Sequence, residues 1–227
     1  SGFDLYKRQY KIFPSPDSLR GPLAYSLLRL TSFKENSTFL DPFVGDGVIA
    51  IEAALFSSKF PVRHYSKDKF LFKNFNQFKD FNFKSFYSKL DKKQKTKTNV
   101  FGFAFHFKNV DATKKNAKIA GVLDNLKLSR VELSWLDLKF KEKSVDCIAT
   151  KIPNIKHNNE KILHDFFNQT EYILNEKGKI GLITYPQNSL NIIKTSKEFK
   201  FRINHQRTIL SGQQPLEIII LEKSTKS

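Results

Sequence analysis

The segment best suited to chemistry in this sequence is Asp41–Gly47, which reads DPFVGDG. It follows a short apolar run and precedes the apolar stretch IAIEAAL, so it connects a predicted strand to a predicted helix. Glycines such as Gly45 and Gly47 let the backbone approach a ligand closely and adopt positive φ. The first turn of the following helix offers N–H groups without intrahelical partners. The segment therefore predicts a ligand-binding loop, although an ordinary tight turn between strand and helix would use the same glycines.

Predicted strands alternate with predicted helices around this loop. Strands are predicted at Phe39–Asp41, Val100–Phe105, Val131–Leu133, Cys147–Thr150, Ile180–Thr184, Phe201–Thr208 and Leu216–Glu222. Helices are predicted at Pro22–Arg29, Val48–Phe56, Asp111–Ala120 and Asn159–Leu174. Such alternation implies parallel βαβ units, while the short turn at Ser211–Gly212 makes the last two strands antiparallel. The predicted fold class is α/β: a mostly parallel seven-stranded sheet that ends in an antiparallel hairpin, as in the Rossmann-like fold of class I methyltransferases.

A basic and aromatic insert at about residues 59–98 interrupts this alternation. The spacing of Phe72, Phe75 and Phe78 is helical, so some of these rings are expected to pack inward. The end of the insert is almost purely basic and polar, with Lys92, Lys93, Lys95 and Lys97. It is either an amphipathic insert with a solvated tip or an arm that contacts RNA phosphates and bases. We divide the chain into an N-terminal segment (residues 1–36) and a main domain (37–227) that carries the insert.

The charge of the chain narrows the classes of partner. The 39 Lys and Arg residues against 22 Asp and Glu residues give a formal net charge of +17. Such an excess attracts polyanions such as RNA, DNA or an anionic membrane, or it serves solubility alone. No apolar run is long enough for a membrane span, and the first ten residues lack the apolar core of a signal peptide.

Cysteine and histidine usage excludes two further classes of site. Cys147 is the only cysteine, so an intramolecular disulfide is impossible and a reducing, cytoplasmic setting is expected. The five histidines show no metal-ligand spacing with carboxylates or with Cys147, so no metal site is predicted.

Four passages of the sequence resemble the THUMP-associated RNA guanine-N2 methyltransferases, which act on tRNA and 23S rRNA. They are the N-terminal pattern Asp4–Arg8 with Ser18–Arg20 and Leu23-Ala24, the loop and helix Asp41–Leu55, the aromatic insert, and Asn116-Ala117 with Ala120–Val122. The resemblance runs nearly end to end. It also implies a THUMP domain, which we expect on a missing upstream segment or on a partner subunit. It implies a structured RNA, tRNA or rRNA, as substrate.

The resemblance implies S-adenosylmethionine as cofactor, lying over Gly45 and Gly47. Asp41 would then be near its amino-acid end and Asp137 near its adenine amine. The expected cofactor-binding residues are Asp41, Pro42, Gly45, Gly47, Ala104 and Asp137. At the end of the second strand the family carries Gly-Ser-Asp-Ile-Asp to bind the ribose hydroxyls, and this chain has Gly102–His106 with Ala104 in place of an aspartate. Losing charge-assisted hydrogen bonds worth ~1.5–3 kcal/mol would weaken binding roughly ten- to a hundredfold.

The expected catalytic position departs further from the family. The family's Asn/Asp-Pro-Pro-Tyr/Phe accepts both N–H bonds of the guanine amine and stacks on the base. The corresponding residues here are Lys151, Ile152, Pro153 and Asn154, and a lysine ammonium can only donate. A register shift that uses Asn154 as the acceptor, with Tyr185 stacking, is the alternative. We take Lys151, Pro153 and Asn154 as the degenerate catalytic position.

Three functional interpretations follow from these residues. The first is a methyltransferase-like domain that binds tRNA or rRNA with impaired or lost methyl transfer. The second is an active RNA guanine-N2 methyltransferase with an atypical catalytic loop, and the third is a generic basic nucleic-acid-binding module. The expected RNA contacts are Lys7, Arg8 and the four lysines at the end of the insert, Lys92, Lys93, Lys95 and Lys97.

Overall fold

The described part of the chain folds around one seven-stranded sheet. This computed structural model describes residues 2–16, 18–91, 98–153 and 159–224. The strands are β1 (Phe39–Asp41), β2 (Val100–Ala104), β3 (Leu126–Arg130), β4 (Val145–Lys151), β5 (Leu174–Thr184), β6 (Phe201–Ser211) and β7 (Gln214–Lys223). Their spatial order is β3-β2-β1-β4-β5-β7-β6. The first five strands are parallel, and β7 is antiparallel to both β5 and β6, which confirms the predicted fold class.

Helices cover both faces of this sheet. They are α1 (Gly21–Leu30), α2 (Val48–Ser57), α3 (Phe83–Leu90), α4 (Phe107–Ala120), α5 (Asn159–Ile173) and α6 (Pro186–Glu198). Helices α1, α2 and α4 share one apolar core, whereas α5 and α6 share the other. Successive side chains of β1 point to opposite faces of the sheet, so Phe39 lies in the first core and Leu40 in the second. None of the helices in the described ranges combines the length and apolar character that a membrane span requires.

The third strand and two helices, α3 and α6, differ from the sequence-based expectation. The strand predicted at Val131–Leu133 was wrong: β3 lies at Leu126–Arg130, and Leu133–Trp135 forms a short 3-10 turn. As an edge strand that pairs only with β2, β3 exposes polar residues, so its sequence shows only a weak apolar pattern. Helix α6 was not predicted, since Ile192 is its only buried large apolar residue.

The aromatic insert forms a small cluster of its own. Three 3-10 turns, His64–Lys69, Leu71–Asn74 and Asn76–Phe78, precede α3. The Phe72, Phe78 and Phe83 rings pack together, with centroids 5.7 to 6.0 Å apart, whereas Phe75 is 55% exposed. The predicted inward packing therefore holds for Phe72 and Phe78 only. In a 3-10 turn, side chains three positions apart lie on the same side. This repeat explains why the phenylalanines have a helix-like spacing although this stretch forms no α-helix.

Candidate functional site

The loop after β1 lies at the carboxyl edge of the sheet. Gly47 has φ +87°, and a Cβ there would lie 2.5 Å from Thr113 Cγ2 in α4, so the position accepts only glycine. A Cβ on Gly45 would lie 2.9 Å from Ser15 Oγ. No side chain caps the amino end of α2, which leaves its first N–H groups available to a ligand. The geometry is that of a tightly packed ligand loop.

A cavity of about 250 Å³ opens above this loop. Its walls come from the N-terminal segment, the loop, the start of α4 and the end of β4. The lining residues that matter chemically are Ser15, Ser18, Asp41, Gly45, Asp46, Gly47, His106, Lys108, Asn109, Lys151 and Pro153. Two carboxylates and two lysines therefore face one small space.

Asp41 closes the floor of the cavity. Its Oδ1 accepts hydrogen bonds from Thr150 Oγ1 at 2.6 Å and from the Phe43 backbone N–H at 3.2 Å. Burial raises the pKa of Asp41 to about 7, although both hydrogen bonds act in the opposite direction. Near neutral pH this carboxyl therefore changes charge easily, and a cation bound beside it would favour the ionised form.

The raised pKa of Asp41 predicts a specific pH dependence of stability. An acid whose pKa is 3.8 in the unfolded chain and about 7 in the fold keeps its proton longer when folded. The native state then binds more protons, so stability is present at low pH and is lost as pH rises from about 4 through about 7. The free energy of unfolding of the wild type relative to Asp41→Asn should fall across this range, by on the order of 4 kcal/mol at most. Urea unfolding at several pH values checks this, and a difference that does not change with pH contradicts it.

Asp46 ties the N-terminal segment to the loop. It is 3% exposed and accepts hydrogen bonds from Ser18 Oγ and from the Ser15 backbone N–H. Asn116 of α4 adds bonds to the backbone of Phe13 and to the Asp46 carbonyl at 2.9 Å. Sequence reasoning did not single out Asp46. A carboxylate between two loop glycines was the available signal.

The wall at the end of β2 lacks a carboxylate. Ala104 is 3% exposed and does not line the cavity, and its carbonyl accepts from the Val131 N–H. His106 is exposed, precedes α4 and does line the cavity. Among the described lining residues the carboxylates are Asp41 and Asp46, both on the loop. A ligand with two ribose hydroxyls finds no charged acceptor on this wall.

Lys151 ends β4 at the opposite wall of the cavity. Its ammonium lies 4.8 Å from the centre of the Tyr185 ring and donates to Tyr185 Oη at 3.3 Å. Ile152 is 4% exposed, and its N–H donates to the Ile183 carbonyl at 2.9 Å. Lys151 and Pro153 line the cavity as the sequence predicts, while Asn154 lies outside the described residues. The register shift through Asn154 therefore stays a prediction.

The other predicted site residues lie apart from the cavity. Pro42 is buried and Asp137 is exposed, and neither lines the cavity. Lys7 is exposed and pairs with Asp4, whereas the Arg8 side chain is 10% exposed and forms an ion pair with Glu52. Glu52 already neutralises the charge of Arg8, and the role of Arg8 as an RNA contact stays a prediction. The insert lysines 92, 93, 95 and 97 lie outside the described residues, and within those residues no group of metal-ligating side chains occurs.

Comparison with known proteins relates most of the chain to methyltransferases. The family described as RMKL-like, methyltransferase domain, matches residues 8–212. The chain is 30% identical over 190 residues to a tRNA (guanine(6)-N2)-methyltransferase of Methanocaldococcus jannaschii, covering 79% of this chain and 48% of that protein. It spans about half the length of the curated relatives it matches.

Two solved structures share the architecture described above. TrmN from Thermus thermophilus matches with a TM-score of 0.68 at 23% identity, covering 95% of this chain and 52% of that one. SMU.472, described as a methyltransferase complexed with SAH, matches with a TM-score of 0.76 at 17% identity, covering 98% and 56%. At these identities the two structures establish the fold alone.

Proposed function

The chain belongs to the RMKL-like methyltransferase domain family, and from this premise we propose that it binds tRNA or rRNA with its own methyl transfer impaired or lost. The relative from Methanocaldococcus jannaschii is named for action on tRNA, which supports an RNA ligand. The net charge of +17 supports binding to a polyanion. We also propose the division into an N-terminal segment, residues 1–36, and a methyltransferase-like domain, residues 37–227, with a THUMP domain or partner subunit acting beside it.

The observation that carries the impaired-transfer proposal is the Lys151 ammonium at the cavity wall. An ammonium has three donors and no acceptor, so it cannot receive the protons of a target amine. Tyr185, the ring that could stack on a base in the alternative register, is already in contact with Lys151. When bound, S-adenosylmethionine supplies the methyl group from a positively charged sulfonium. The Lys151 ammonium would repel that charge; two such charges 4 Å apart repel by ~4 kcal/mol at an effective dielectric of 20.

The residues present fit one end of this cofactor better than the other. Gly45, Gly47 and the uncapped start of α2 suit the amino-acid end, with Asp41 beside the ammonium. The wall near Ala104 and His106 offers no carboxylate to the ribose. We therefore propose that the loop retains S-adenosylmethionine weakly.

An active enzyme with an atypical catalytic loop is the second candidate. The intact loop favours it, because Gly47 keeps a conformation and a close contact that only glycine allows. Asn154 would then act as the acceptor of the target amine. A generic basic module, the third interpretation, has no specific observation in its favour.

Two binding experiments test the proposal. Unmodified tRNA should bind with an affinity that falls at least about tenfold between 50 and 200 mM salt, because phosphate contacts release counterions. Calorimetric titration of S-adenosylmethionine should give a dissociation constant on the order of 100 µM or weaker, since about 1.5–3 kcal/mol of hydrogen bonding is missing. Salt-insensitive tRNA binding contradicts the RNA contacts. Low-micromolar cofactor binding favours the active enzyme, and the Methanocaldococcus jannaschii relative serves as positive control.

A further inference from the structure

A second groove lies away from the cavity, between the N-terminal segment and the start of the insert. Its volume is about 580 Å³. The residues that matter in its walls are Phe3, Asp4, Lys7, Ile12, Arg63 and Lys69. We call it the basic groove and keep that name below.

Positive charge dominates the basic groove. Lys7 and Asp4 form an exposed ion pair at 2.8 Å, and Arg8, which also lines the groove, is neutralised by Glu52. Lys69 is exposed and has no ion pair with any residue that the structure describes. Arg63 likewise has no carboxylate partner within the described ranges. Three cations therefore face the single carboxylate of Asp4.

Arg63 is held in place without being neutralised. Its Nη2 donates to the Asp4 carbonyl at 3.0 Å and to the Leu5 carbonyl at 2.7 Å. The guanidinium lies 4.8 Å from the centre of the Phe3 ring, and that ring lies 5.3 Å from Phe70. These contacts fix the guanidinium plane, and its Nε and Nη1 donors have no partner among the described residues. A fixed guanidinium with free Nε and Nη1 donors suits a phosphodiester, because each of these donors can form one charge-assisted hydrogen bond to a phosphate oxygen.

The electrostatics of Arg63 favour an added anion. Burial, followed by repulsion from Arg8, lowers the pKa of Arg63. An unpaired arginine in such surroundings is stabilised when an anion supplies the missing negative charge. Ile12, 60% exposed at the groove, offers an apolar contact for a ribose or base beside that anion.

We propose that the basic groove binds the phosphodiester backbone of the tRNA or rRNA ligand through Arg63 and Lys69. This inference rests on the proposed RNA-binding function and adds a location to it. RNA fits better than an acidic peptide, because the groove combines a planar cation, a ring and an exposed apolar side chain. Neither Arg63 nor Lys69 was predicted as an RNA contact from the sequence, whereas Lys7, which also lines the groove, was.

Salt-dependent tRNA binding by matched variants tests the basic groove. Lys69→Ala removes an exposed charge and should weaken binding about three- to tenfold at low salt while reducing the slope of log K against log salt by about 1. Arg63→Lys keeps the charge and loses the fixed plane, so affinity should fall with little change in slope. Lys200→Ala is the control, since Lys200 directly precedes the edge strand β6, pairs with Glu171 and does not line the groove. It removes one positive charge from outside the groove.

The results distinguish a failure of the groove proposal from a failure of the proposed RNA-binding function. The groove proposal is overturned if wild type binds tRNA while both groove variants match it, or if Lys200→Ala loses as much as Lys69→Ala. If the wild type itself fails to bind tRNA, the RNA-binding function falls and the groove assignment with it. Circular dichroism establishes that each variant is folded. Lys69 is exposed, so Lys69→Ala is the variant least expected to disturb the fold.

Discussion

Replacing Lys151 by asparagine, together with Asn154→Tyr, is expected to raise the rate of methyl transfer to unmodified tRNA by about 100-fold or more. The asparagine oxygen supplies the acceptor that an ammonium lacks, and the tyrosine supplies a stacking ring. Transfer of labelled methyl groups should be measured under single turnover with millimolar S-adenosylmethionine, so that weak cofactor binding does not mask the gain.

The control for this variant is Lys108→Asn. Lys108 also lines the cavity, so the substitution removes the same charge from another wall without placing an acceptor at the end of β4. It should gain little activity, and equal gains in both variants would show that net charge alone matters. Ile152 is left unchanged, because proline there would remove its N–H bond to the Ile183 carbonyl.

The second large effect concerns Glu52, which anchors the N-terminal segment to α2. Its carboxylate accepts from Arg8 at 2.6 and 3.1 Å and from Tyr10 Oη at 2.7 Å, and its side chain is 4% exposed. Glu52→Ala leaves the Arg8 guanidinium buried without a partner. The free energy of unfolding should fall by about 3–5 kcal/mol, as for other broken buried ion pairs. Urea unfolding followed by circular dichroism measures this loss.

Glu35→Ala provides the matched comparison. Glu35 pairs with Lys59 at 3.0 Å, but both side chains are more than 40% exposed. Water screens such a pair, so its loss should cost no more than about 1 kcal/mol. If the two variants lose similar stability, Glu52 does not anchor the segment. Faster proteolysis within residues 8–20 of Glu52→Ala would locate the change in the N-terminal segment.

The arrangement of strands was predictable because the pattern of buried elements is strong. Alternating strands and helices fixed the sheet class, and the turn at Ser211–Gly212 indicated the closing hairpin that the structure contains. The third strand was misplaced because an edge strand carries few apolar residues. Helix α6 escaped notice since one buried isoleucine makes no visible stripe.

The site was predictable in type and only partly in detail. The loop glycines were singled out from their position between a strand and a helix, and Lys151 from the family resemblance; both border the cavity. Arg8 could not be recognised as paired, because its partner Glu52 lies 44 positions away in the sequence. The basic groove could not be predicted for the same reason: Arg63 and Phe3 are distant in sequence and come into contact only when the insert folds against the N-terminal segment. Local sequence patterns identify candidate functional side chains. Contacts between residues distant in sequence decide which of these side chains already have a partner within the protein.

The most direct test of the central claim is single-turnover methyl transfer by the wild-type protein. Protein in excess over unmodified tRNA is mixed with millimolar labelled S-adenosylmethionine, beside the Methanocaldococcus jannaschii relative as positive control. We expect tRNA to be bound and no label to be transferred above a heat-denatured sample. Stoichiometric transfer by the wild type would contradict the account and identify the chain as an active RNA methyltransferase domain.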